Sequence, residues 1–128
     1  MLFLQFSDIT HNHIATKWKV CSVLLSPRAV AFPFEGITEI SFLPDNNCIL
    51  SGNKTVTGKW RLEYHKEIIP NPVIYFSLTN QPQEERSMIT RYSYTPDKYG
   101  EDKNDEMILY FSNGCELVLE KLDDQKNQ

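Results

Sequence analysis

The alternation in Gly58-Lys59-Trp60-Arg61-Leu62-Glu63-Tyr64-His65 limits this chain more than any other feature. Gly58, Trp60, Leu62 and Tyr64 fall on one side, and Lys59, Arg61, Glu63 and His65 on the other. A period of two held over this length marks a half-buried antiparallel strand. Lys59 and Arg61 flank the tryptophan in sequence, yet on a strand they leave the backbone on the opposite face. A second stretch, "ATKWKV" from Ala15 to Val20, repeats the pattern around Trp18.

The same test finds further strands. Trp18, Val20, Ser22 and Leu24 alternate with Lys17, Lys19, Cys21 and Val23. In "ITEISF", Thr38, Ile40 and Phe42 oppose Glu39 and Ser41. Pro44-Asp45-Asn46-Asn47 follows as a tight turn, since these residues favour turn geometry or tolerate left-handed backbone. "CILSG" returns from it, so residues 37–52 form a hairpin. Val73–Thr79, Ser87–Thr95, Glu106–Ser112 and Cys115–Leu122 complete the set, with the strong hairpin turn Asn113-Gly114 between the last two. Leu2–Ala15 has room for one helical turn or a short lid, and no long helix is expected elsewhere.

About eight strands joined by short links favour antiparallel pairing between neighbours. Closing them on themselves removes the exposed edges of an open sheet. The expected fold is all-β: an up-and-down barrel of antiparallel strands, with a β-sandwich as the alternative. At 128 residues the chain is one domain, 1–128, with 1–12 and 123–128 as loosely ordered ends.

Thr16-Lys17-Trp18-Lys19-Val20, "ITEISFLPDNNCILSG" and Gly58-Lys59-Trp60-Arg61-Leu62 occur in the order seen in small lipocalin-like, or calycin-type, domains. The chain resembles that family over residues 13–122. It departs from larger lipocalins in reading Thr-x-Trp in place of Gly-x-Trp at the first strand. It also lacks an arginine after the last strand to cover that tryptophan. The resemblance implies a barrel and, as one of two functions, carriage of a small hydrophobic or tetrapyrrole-like ligand inside it. Trp18, Phe42, Trp60, Tyr64, Phe76, Tyr92 and Tyr94 would then line the site, if a cavity exists. Trp18 and Trp60 are core plugs first, because each indole buries a large area and needs one partner for its N–H.

Other functions find less support. The chain carries 13 basic and 17 acidic residues, a net charge of −4. Residues 1–80 are close to neutral, and the acidic excess lies in Asp97–Glu106 and in the tail from Asp123, both expected to be solvated. Lys17, Lys19, Lys59 and Arg61 belong to strands three apart in a meander, so no concentrated basic face for nucleic acid is expected. There is no Gly-x-Ser-x-Gly and no phosphate-binding glycine loop, so no catalytic residue is assigned. His11-Asn12-His13 presents two imidazoles without a third ligand, and "DKYGEDKNDE" lacks the order of a calcium loop, so neither metal nor cofactor is expected. Three widely spaced cysteines, Cys21, Cys48 and Cys115, form no disulfide framework and suit an intracellular protein, cytoplasmic or organellar. "MLFLQFSDIT" has neither the basic start of a signal peptide nor the length of a membrane span.

An eight-stranded barrel is just wide enough to be filled by side chains or to hold one small ligand. The bulky inward candidates, Phe111 among them, favour a filled interior. The expected function is therefore that of a non-enzymatic accessory or scaffold protein that docks onto a larger protein assembly. The ligand-binding reading is the alternative.

Overall fold

The computed structural model describes residues 2–27, 31–95 and 105–122. The expected solvated loop and tail therefore fall outside the described residues, except for Asp105 and Glu106. The described chain contains nine strands: β1 (Leu2–Phe3), β2 (Lys17–Leu24), β3 (Ile37–Phe42), β4 (Asn47–Gly52), β5 (Thr55–Glu63), β6 (Val73–Leu78), β7 (Glu85–Tyr94), β8 (Glu106–Phe111) and β9 (Glu116–Lys121). A single 3-10 turn at Phe6–Asp8 and a single α-helical turn, α1 (His11–Ile14), precede β2.

Strands β2 to β9 each pair antiparallel with the next, and β9 returns to β2, with Trp18 opposite Lys121 and Leu24 opposite Glu116. The sheet is thus a closed eight-stranded up-and-down barrel, and the sandwich alternative falls away. The short β1 lies outside the closed ring and pairs with the end of β7, Leu2 opposite Tyr94.

The turns follow the residues that favour them. Asn46 takes a left-handed backbone, φ 73°, in the Pro44–Asn47 turn, and its side-chain amide donates to the Trp60 carbonyl at 2.9 Å. Gly114 takes φ 91° in the β8–β9 hairpin, where the Asn113 side chain accepts the Cys115 N–H at 2.9 Å.

Three β-bulges alter the expected faces, between Val20 and Ser22, Ile37 and Glu39, and Ile89 and Arg91. Each adds a residue to one strand and reverses the side-chain phase beyond it. Beyond Cys21 it is Val23 that packs inward, and Leu24 is 58% exposed. In β3 the inward residue at the start is Ile37, and Thr38 is exposed.

Both ends of the barrel are plugged. At one end α1 lies across the mouth, with Ile9 and Ile14 buried. At the other end, Phe32 and Phe34 from the β2–β3 connection pack on Phe111, with ring centroids 4.9 and 5.1 Å away.

Candidate functional site

The interior is packed with rings. Trp18, Phe42, Trp60, Phe76 and Tyr92 all point inward and are at most 2% exposed. Phe42 meets Trp60 at 5.2 Å and Phe76 at 5.7 Å, and Phe34 reaches Phe76 at 4.9 Å from the far plug. A lumen roomy enough for water would leave accessible area on such side chains, and these keep almost none. Both indoles have a partner: Trp18 donates to the Ile14 carbonyl and Trp60 to the Leu43 carbonyl, each at 3.0 Å. Tyr64 and Tyr94 lie apart from this group. Tyr64 follows the end of β5 and is 36% exposed, and Tyr94 is half-buried opposite Leu2.

A polar cluster closes the α1 end. The Tyr92 hydroxyl donates to Asp105 Oδ2 at 2.6 Å, and Lys121 Nζ stands 3.2 Å from the same oxygen. Lys121 Nζ also lies 5.4 Å from the centre of the Trp18 ring, so a lysine on the last strand covers the first-strand tryptophan. Burial first, and then the Asp105 carboxylate, push the Tyr92 phenol far above its ordinary range. Tyr92 therefore keeps its proton and ties this end of the barrel to Asp105. His13 Nδ1 accepts the Thr10 N–H at 3.0 Å, and His11 stacks on Trp60 at 4.7 Å. Among the described residues no three His, Cys, Asp or Glu side chains stand close enough together to hold a metal.

On the outer wall, two of the four cations flanking the tryptophans are paired with carboxylates. Arg61 bonds Glu63 and Glu84 and lies 4.0 Å above the Tyr75 ring. The paired guanidinium holds both carboxyls below their usual range. Lys17 reaches Glu39 at 3.7 Å.

The exposed face of β2, β9 and β8 is of a different kind. Successive rungs across the strands set Leu24 beside Glu116 and Tyr110, Ser22 beside Val118 and Ile108, and Lys19 beside Glu120 and Glu106. Leu24 is 58% and Tyr110 38% exposed, with Ile108 and Val118 half-buried between them. Glu106 stands directly opposite Glu120, an arrangement that destabilises a strand pair. None of Glu106, Glu116 and Glu120 has an ion-pair partner among the described residues. Partial burial and then Glu120 push the adjacent Cys21 thiol up, while Lys19 acts in the opposite direction.

The alternation test did not single out this face. A signal was present in Met107-Ile108-Leu109-Tyr110-Phe111, five apolar residues in a row. An unbroken apolar strand is one with apolar side chains on both faces.

No helix among the described residues is long and apolar enough to cross a membrane. Comparison with protein-family models, with curated proteins and with solved structures returns no match to this chain.

Proposed function

We propose that this chain is a non-enzymatic accessory protein of lipocalin-like build. It docks onto a larger assembly through the outer face of β2, β9 and β8. One observation carries the reading: Leu24, Tyr110, Ile108 and Val118 form an apolar strip on the outside of a barrel whose inside is already filled. Three carboxylates without an ion-pair partner among the described residues adjoin that strip, and two of them face each other across a strand pair. A partner surface with an apolar centre and lysines or arginines at its edge would cover the strip and relieve the repulsion. The packed interior favours this face over a ligand within the barrel. Three free thiols, with Cys21 exposed, suit a reducing compartment, so we place the protein inside the cell.

A photo-crosslinking amino acid at position 110, compared with one at Thr57 on the opposite wall, tests the reading in the native source. The expected result is a discrete protein adduct from position 110 alone, lost when Glu120→Lys is added. Equal adducts from both positions, or an adduct indifferent to Glu120→Lys, would overturn it.

A further inference from the structure

Strand β5 lies four places from β9 around the ring, so its outer wall faces away from the strip just described. Two outward rungs cross this wall: Asn47, Lys59 and Ser77, then Ile49, Thr57 and Thr79. Several of these side chains are short, and the residues between the rungs, Cys48, Gly58 and Leu78, belong to the inward-facing set. The space between the rungs is therefore a groove of about 470 Å3 floored by backbone, with Ile49 and Leu43 along it. The groove is open to solvent along one side, so a ligand in it would keep part of its surface in water.

The polar groups narrow the choice of ligand. The Ser77 hydroxyl donates to Glu84 at 3.1 Å and the Thr79 hydroxyl to the Thr57 carbonyl at 2.9 Å, so both already have acceptors. Lys59 is the cation of the groove, and no carboxylate stands within ion-pair distance of it among the described residues. Its charge acts only weakly on Asp45, whose carboxylate accepts the Asn47 N–H at 3.1 Å. Glu84, beside Ser77, is already held by the Arg61 guanidinium, so neither leaves a free charge on the β6 side of the groove. The favoured place for negative charge is the Lys59 end, and the remaining length offers apolar contact beside Ile49.

We propose that this outer groove binds a small amphipathic anion: an acyl chain with a single terminal carboxylate, its head at Lys59 and its chain along Ile49. The site is independent of the docking face and of the barrel interior.

The test uses the whole chain and two probes, 11-(dansylamino)undecanoic acid and its methyl ester, followed by dansyl emission. The acid binds saturably at one site, and more tightly than the ester. Lys59→Gln weakens the acid about twofold to fivefold, the worth of an exposed ion pair, and leaves the ester unchanged. Ile49→Asp, an outward change, removes binding of both probes, and Ile108→Asp on the docking face affects neither. Circular dichroism of each variant confirms that it is folded. Binding that survives Ile49→Asp, equal affinity for acid and ester, or no saturable binding would each overturn the proposal.

Discussion

Trp60 is held from several directions. Phe42 packs on it at 5.2 Å, His11 stacks at 4.7 Å, and its indole N–H donates to Leu43 at 3.0 Å. Truncation leaves a hole that neighbours fixed by the barrel cannot refill. Trp60→Ala is expected to destabilise by about 3–5 kcal/mol, the usual cost for a core aromatic. Arg61 is the next residue in sequence and has more polar bonds, yet its guanidinium lies in water. Arg61→Ala is expected to cost less than about 1 kcal/mol, as exposed ion pairs do. Urea unfolding of both variants checks the contrast. A loss for Arg61→Ala equal to that for Trp60→Ala would mean that the charged network, and not the packed ring, holds this strand.

Among the strands, β5 depends on one glycine. A Cβ at Gly58 would run into the Ser77 carbonyl and the Leu78 backbone, so the close approach of β5 to β6 requires a residue without one. Gly58→Ala is expected to destabilise by roughly 1–3 kcal/mol, the range for overpacking, read as a lower urea midpoint. An unchanged midpoint would show that the two strands separate freely. The period-two pattern made most strands legible, and Pro44–Asn47 and Asn113-Gly114 made their turns legible. The bulges at Cys21, Thr38 and Thr90 were not legible, because an extra residue in a strand leaves no mark in composition. For that reason Leu24, placed with Trp18 by simple alternation, emerges on the outside. The cluster of Tyr92, Asp105 and Lys121 was hidden for another reason: three strand ends bring these residues together, and no local spacing encodes that meeting.

Stability against pH follows from the weak acids buried within the barrel. Burial pushes the Cys48 thiol up to about 11, and Tyr92 is raised as well. In both cases folding favours the protonated form. For Cys48 the stabilisation is therefore complete below the ordinary thiol value of 9.0 and is lost as pH rises through about 11; for Tyr92 it persists to higher pH. The guanidinium midpoint is expected to fall between pH 8 and pH 11, and less steeply in Cys48→Ala, whose packing loss is the same at both values. Parallel falls in the two proteins would remove Cys48 as the cause. The closure of β9 on β2 has a further consequence for synthesis. The first barrel strand must wait for residues some hundred positions downstream before its free edge is paired. At about 5–20 residues per second on the ribosome, that interval is on the order of 5–20 s. Throughout it, the nascent chain presents strand edges and an uncovered Trp18 to its surroundings, and chaperones that shield such edges have that window in which to act.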